Sequence, residues 1–377
     1  MNLFDVYPLI PVTPVKAMGS LIWDDQGQEY LDLYGGHAVI SIGHSHPHYV
    51  QRITEQVNQL GFYSNSIQIP LQQQLANKLA ELSCLHSYQL FLVNSGAEAN
   101  ENAMKMASFV TKKSGFIAFK GSFHGRTSGA VALTDNPKLI APCNAREDFY
   151  LVSLGDLAGV EALLSTNTIA GIIIEGIQGV GGIQVPNPGF LLGLYQLAIK
   201  YEVKLILDEV QSGYGRTGRF FAHQWVEGIY PDLITIAKGM GNGFPIGGLL
   251  LSADFHASYG LLGTTFGGNH LACAAGLAVL EIIESERLQQ NALVLGEQLM
   301  DALKDIPGVV DVRGKGLMIG LDLDRDAGPV RSILIDQYKI FTGSASGKTT
   351  IRLLPPLSVD WNQLHSFVVA LKEILAS

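Results

Sequence analysis

A chain of 377 residues, 47% of them apolar, is long enough to bury a large core, expected as one large domain and one smaller one. Its 25 lysines and arginines against 34 acidic residues give a net charge of -9 with no basic stripe, which argues against a nucleic-acid partner. Three scattered cysteines, Cys84, Cys143 and Cys273, exclude a disulfide framework, and no apolar run is long enough to span a bilayer.

In chain order, the N-terminus MNLFDVYPLIPVTPVKAMGS places Asp5 before its first lysine, Lys16, so it lacks the basic opening of a signal peptide and a cytoplasmic protein is expected. WDDQGQEYLDL reads as a hairpin within a segment, residues 1–45, too short to fold alone and expected to join the C-terminal part. GHSHPHY sets His44, His46 and His48 at alternate positions, but no carboxylate or cysteine stands at ligand spacing near them, so no metal is expected. From about residue 90 the runs FLV, FIAF, FYLV, IAGIII, VKLIL, LITIA and GGLLLS alternate with amphipathic stretches. Such runs predict an α/β fold, a mostly parallel sheet covered on both faces, in a large domain over residues 46–268. Two long helices to about residue 305, the strand GLMIGLDLD, a further helix and strand, and a last helix from about Asp360 predict a smaller α+β domain over residues 269–377.

Ligands of parallel sheets sit beyond the carboxyl ends of the strands, which singles out Asn94, Ser95, Glu175, Asp208 and Lys238. KLILDEVQSGYGRTG carries the glycine spacing of a dinucleotide loop, but Asp208 and Glu209 would repel a diphosphate, and RFFAHQW is a poor helix start. GSASGKTT imitates a triphosphate loop, yet only three residues separate Gly343 from Gly347 where four are needed. In LITIAKGMGNGFPIGG, Lys238 ends a strand and is followed by five glycines in ten residues, where backbone approaches a ligand closely. FLVNSGAEAN is a strand, a small-residue turn and a helix start, so Ser95, Gly96 and Ala97 form a phosphate seat as well as a capping box closed by Glu98. A phosphate seat, a strand-end aspartate and a strand-end lysine together meet the needs of pyridoxal phosphate, with Asp208 holding the pyridine nitrogen protonated and Phe123 stacking on the ring.

NSGAEAN, FHGRT, DEVQSGYGRTG, AKGMGNGFPIGG, TTFGGN and VRGKGLMIG, in this order, resemble the class III aminotransferases of pyridoxal-phosphate fold type I, and among them the acetylornithine and succinylornithine enzymes of arginine metabolism. The resemblance implies that Lys238 binds the cofactor covalently and carries the proton, and that Asp208 faces the pyridine nitrogen. It implies Val210 under the ring, Gln211 at the phenolic oxygen, and Ser95, Gly96 and Ala97 at the phosphate. Thr265 would complete the phosphate site from a second subunit, with Thr264 beside the substrate, so a homodimer with shared sites is implied. Arg126 would take the substrate's α-carboxylate and Arg352 that of glutamate or 2-oxoglutarate, both suited by the bidentate fork. The implied reaction is ping-pong: the δ-amine of an N-acylornithine is transferred to 2-oxoglutarate, the sister alternatives being ornithine or 4-aminobutyrate aminotransferase.

Two positions depart from the resemblance. EGIQGVGG keeps Glu175 but has Val180 where the family usually carries a second glutamate able to mask Arg352, and His37 stands where many acetylornithine enzymes carry an apolar residue. Local repacking is one reading of both. The other is that losing an acid and gaining an imidazole favours an anionic acyl group, N-succinyl over N-acetyl.

Overall fold

The computed structural model of the chain describes residues 1–376. The seven apolar runs are seven strands: β4 Gln89–Val93, β5 Gly115–Phe119, β6 Phe149–Val152, β7 Ile169–Glu175, β8 Lys204–Asp208, β9 Leu233–Ile236 and β10 Gly247–Leu251, preceded by β1 Pro14–Met18, β2 Leu21–Asp24 and β3 Glu29–Asp32. They form one sheet in the order β4-β10-β9-β8-β7-β5-β6. Every residue of β5, β7 and β10 is buried, as a sheet covered by helices on both faces requires. Only β10 runs against its neighbours β9 and β4. The ten residues between Ile236 and Gly247 are too few for the crossover that a parallel partner would need.

The strand ends are in register. Glu175 of β7 lies beside Asp208 of β8, and Asp208 beside Thr235 of β9, so three polar side chains end adjacent strands on one edge of the sheet. Helix Gly96–Thr111 runs against β7, β8, β9 and β10 with Asn100 on its buried face.

The C-terminal part adds β11 Val309–Lys315, β12 Met318–Leu323, β13 Ile340–Phe341, β14 Gly343–Ser344 and β15 Thr350–Leu353. One four-stranded sheet has the order β11-β12-β15-β14; the other joins β1, β2 and β3 to β13, with β3 and β13 parallel. The expected hairpin is β2 paired with β3, Trp23 opposite Glu29. GSASGKTT joins antiparallel β14 and β15 with no helix behind it, so it is a hairpin loop and not a phosphate loop.

The GYGRTG turn belongs to the junction between the two parts. Tyr214, Gly215 and Gly218 have positive φ, and the turn brings Arg216 against the β11–β12 corner. Arg216 is 2% exposed and forms no ion pair among the described residues. Its guanidinium donates to the carbonyls of Leu317 (3.1 Å), Pro355 (2.7 Å) and Ile40 (3.5 Å), while its own carbonyl accepts from the Leu317 N–H at 2.9 Å. Burial pulls its pKa down to about 9. Gly316 permits the approach, because a Cβ there would lie 2.5 Å from the Thr217 carbonyl carbon.

Candidate active site

A cavity of about 390 Å³ opens beyond the carboxyl ends of β7, β8 and β9. Of the expected residues, Ser95, Gly96, Ala97, Phe123, Arg126, Glu175, Asp208, Val210, Gln211 and Lys238 line it, as does Val180. Alternation carried one residue past the end of β8 separates Asp208 from Glu209. Glu209 turns away from the cavity and accepts from Ser212 Oγ (2.6 Å), the N–H groups of Ala222 (3.0 Å) and His223 (2.9 Å), and His223 Nδ1 (2.9 Å). It builds the GYGRTG turn, whereas Asp208 faces the cavity.

Three donors fix Asp208. Its Oδ1 accepts from the Val210 N–H at 3.1 Å; its Oδ2 accepts from Asn100 Nδ2 at 2.8 Å and from His124 Nδ1 at 2.7 Å. Thr235 Oγ1 donates to Asn100 Oδ1 at 2.7 Å, which sets the amide so that its NH2 faces Asp208. Asn100, His124 and Thr235 were not among the expected site residues. A polar residue on the buried face of a helix was the available signal for Asn100, and His124 lies inside FHGRT beside the two residues chosen there.

Lys238 begins the turn after β9 with φ at +47°. Burial lowers its amine to about 8, against the attraction of Asp208 and Glu175 and with the help of Arg352. Among the described residues the amine has no hydrogen-bond partner, and with its pKa lowered toward 8 a far larger fraction of it is neutral and nucleophilic near neutral pH than for an ordinary lysine.

The N-terminus of helix Gly96–Thr111 opens onto the cavity. Ser95 Oγ accepts from the Glu98 N–H at 3.2 Å, but Glu98 returns to the Asn94 N–H at 2.6 Å, closing the box one residue earlier than the spacing suggested. Gly96 is required by contact: a Cβ there would lie 2.7 Å from Val210 Cγ1. Gly96→Ala is therefore expected to displace Val210 and weaken phosphate-ester binding about 10-fold or more, read as the cofactor Kd from an absorbance titration.

Glu175 borders the cavity but is engaged by backbone, Oε1 accepting from Phe123 at 3.0 Å and Oε2 from Gly179 at 2.8 Å. Burial pushes it up to about 7, with His124 opposing. It clamps the FHGRT and GIQGVGG loops together. Gln211 Nε2 donates to the His37 carbonyl at 3.1 Å, and its Oε1 is buried without a partner.

Arg126 and Arg352, the two arginines expected at the site, form no ion pair among the described residues, and Arg352 lies outside the cavity lining. Arg126 is exposed at the mouth. Arg352, on β15, is 3% exposed; its Nε donates to the Ser344 carbonyl, its Nη2 to the Tyr34 hydroxyl at 3.3 Å, and its Nη1 has no partner. His37 lies outside the cavity lining, its ring on Tyr34. Thr264 and Thr265 also lie off the cavity, in a separate depression with Glu98 and Asn94, whose Nδ2 donates to Thr264 Oγ1 at 3.3 Å. His44, His46 and His48 do not converge: each meets its own carboxylate, Asp32, Glu286 and Glu281 respectively.

Residues 5–375 match the family model of the class-III aminotransferases. The chain belongs to that family. Among curated relatives, the acetylornithine aminotransferase of Mycolicibacterium smegmatis is 40% identical over 98% of this chain and 95% of its own length. That of Methanopyrus kandleri is 38% identical over 98% of this chain and 96% of its own. The crystal structure of ornithine aminotransferase from Toxoplasma gondii superposes with a TM-score of 0.90 at 28% identity, covering 98% of this chain and 91% of that one. For a class-III aminotransferase the residues present fit pyridoxal phosphate. The helix N-terminus has a glycine where the phosphate would lie, the buried carboxyl of Asp208 opens to the cavity, and the unpaired amine of Lys238 opens to the same space.

Proposed function

We propose that this aminotransferase moves the δ-amino group of an N-acylornithine to 2-oxoglutarate with pyridoxal phosphate as cofactor. The observation that carries the reading is a pair of arginines without counter-ions: Arg126 at the mouth of the cavity that holds Lys238 and Asp208, and Arg352, outside its lining but near enough to lower the Lys238 amine, buried with a free Nη1. A buried guanidinium without a counter-ion is costly unless a ligand supplies one, and a carboxylate does so bidentately. The names of the curated relatives favour the acylated donor over free ornithine or 4-aminobutyrate.

The cofactor, when bound, supplies an electron sink for the carbon that loses its proton. Lys238 holds it and moves that proton with its partly neutral amine. Asp208, tied by three donors and without room to rotate away, would pair with the ring nitrogen and keep it protonated. Ser95, Gly96 and Ala97 would hold the phosphate at a positive helix end, Phe123 and Val210 would enclose the ring, and Gln211 would offer its amide to the phenolic oxygen. Glu175 keeps the two loops that carry Phe123 and Val180 in place.

Thr264 and Thr265 serve the site of a second copy of the chain in a homodimer. Their place in a depression outside this chain's own cavity lining supports that reading, as do the exposed Phe62 and Phe266, ring centroids 5.5 Å apart, and the exposed Leu3, Phe4, Tyr7 and Leu9. No helix of the described residues is long and apolar enough to cross a membrane.

The test is a single turnover of cofactor-loaded enzyme, followed by cofactor absorbance, with N-acetylornithine, N-succinylornithine, ornithine or 4-aminobutyrate alone. Fast conversion by an acylornithine is expected; conversion only by the free amines would reassign the substrate. With Val180 on the cavity wall and His37 behind it, its carbonyl held by the lining residue Gln211, the succinyl donor is expected to be preferred. Val180→Glu together with His37→Ile should move the kcat/KM ratio toward the acetyl donor by about 10-fold, the size of one close charge interaction. An unchanged ratio leaves both positions as repacking.

A further inference from the structure

Asn94 borders two spaces at once: the cavity that holds Lys238, and the depression of about 290 Å³ that holds Thr264 and Thr265. It is the residue between the end of β4 and Ser95, so it stands directly before the phosphate seat. Glu98 grips it twice, Oε2 accepting from its N–H at 2.6 Å and Oε1 from its Nδ2 at 3.2 Å. A carboxylate is favoured at a helix N-terminus, and hydrogen bonds to one are charge-assisted, so main chain and side chain of Asn94 are both held firmly. One hydrogen of the amide remains, and Nδ2 donates it to Thr264 Oγ1 at 3.3 Å. Among the described residues this is the one hydrogen bond between residues 94–98 and residues 263–268.

The loop beyond Thr264 is pinned at both ends. Thr264 Oγ1 also accepts from the Gly267 N–H at 3.1 Å. Asn65 Nδ2 donates to the carbonyls of Thr264 (3.3 Å) and Gly267 (3.0 Å), and Gln72 Nε2 donates to Asn65 Oδ1 (2.8 Å) and the Gly268 carbonyl (2.9 Å). Gly267 rests on β4 itself, where a Cβ would lie 2.5 Å from the Leu92 carbonyl oxygen. Between the pinned ends Thr265 and Phe266 are exposed, and Thr265 forms no hydrogen bond among the described residues. The loop thus offers a hydroxyl that its own chain does not use, from a base that its own chain fixes with care.

We infer that Asn94 is a positioning residue that acts across the dimer: it ties the loop to the turn of its own phosphate seat and so aims Thr265 at the cofactor phosphate held by the other copy. This rests on the reading that Thr265 serves a second copy's site. In a two-fold dimer each chain lends its loop and borrows its partner's, so a substitution at Asn94 is felt at the other chain's cofactor. Without the amide, Thr264 Oγ1 keeps only the Gly267 N–H, and the Thr265 hydroxyl loses its fixed aim.

Heterodimers test it. One chain carries Lys238→Ala and its own affinity tag, so borohydride trapping mapped to the peptide containing Lys238 reports only the other chain's site. With Asn94→Ala on the Lys238→Ala chain, the trapping site should bind pyridoxal phosphate about 10-fold more weakly, the weight of one charge-assisted hydrogen bond. Pyridoxal, which lacks the phosphate, should bind as before. With Asn94→Ala on the trapping chain instead, the loss should stay below about 3-fold. Thr264→Val cuts the same contact from its other end with the shape kept, and should repeat this asymmetry. Equal losses in the two arrangements, a loss confined to the second, or an equal loss for pyridoxal would place Asn94 in its own cavity or in folding alone, and overturns the inference. Thr265→Ala on the Lys238→Ala chain separates this from the homodimer reading. If it weakens the trapping site and Asn94→Ala does not, the loop crosses without needing a tether, and only the inference fails. If Thr265→Ala also has no effect, Thr265 does not serve the second copy and the inference falls with that reading.

Discussion

Lys238→Ala is expected to lower turnover by at least about 10³-fold, in the upper part of the range for losing a positioned proton carrier, because the same side chain also holds the cofactor. The structure offers no substitute. Among the residues that line the cavity, Lys238 carries the only lysine amine, and the other titratable groups there are held: Asp208 by three donors, Glu175 by two backbone N–H groups and His124 by Asp208. Borohydride reduction and peptide mapping should label the peptide containing residue 238 in the natural protein and no peptide in the variant. A variant that keeps a tenth of the activity would remove Lys238 from the reaction. In cofactor-free enzyme, burial holds the amine near 8 instead of the usual lysine range, so its reaction with an amine-directed reagent should rise through about pH 8. A rise only near pH 10 would mean that the amine is solvated and unperturbed.

Arg216→Met should cost about 2–4 kcal/mol of stability, measured as a shift in the urea midpoint at constant slope. Methionine fills much of the volume, so the loss is one of donors. Three carbonyls, on Ile40, Leu317 and Pro355, lose the guanidinium that served them in a dry junction. Each buried acceptor left unmatched costs about 1–3 kcal/mol, and relief from burying an unpaired charge returns part of the sum. A change below about 0.5 kcal/mol would show that water takes over the carbonyls and that the arginine carries no structural weight. Arg216→Lys should fall between, since one ammonium reaches fewer of the three carbonyls than a planar fork.

The parts legible in the sequence share one physical property: they are local. A continuous apolar run bounded by polar residues is what a strand buried on both faces requires, so seven runs mark seven strands. Asp208, Lys238 and Ser95 stand out because each is the polar residue that ends such a run. The antiparallel course of β10 was legible in principle from its short connection. What stayed hidden depends on pairs distant in sequence. Nothing near Tyr34 points to Arg352, nothing near Asn100 points to Asp208, and His46 meets Glu286 240 residues away. Arg216 was concealed differently, inside a glycine pattern whose familiar meaning is nucleotide binding. Those glycines provide the positive φ and the clearance that bring two parts of the chain together.

Helix Gly96–Thr111 touches the cavity at two levels: its N-terminus borders it at Gly96 and Ala97, and one turn later Asn100 donates to Asp208. The helix therefore works as a gauge block. Four residues at a rise of about 1.5 Å each set Gly96 and Asn100 roughly 6 Å apart along a rod that does not stretch. The interval between the helix N-terminus and the Asn100–Asp208 contact is thus set within a single element, independent of how the rest of the chain packs around it. One residue inserted between 96 and 100 would swing Asn100 about 100° off its face and ruin the measurement, even if every contact of the core survived.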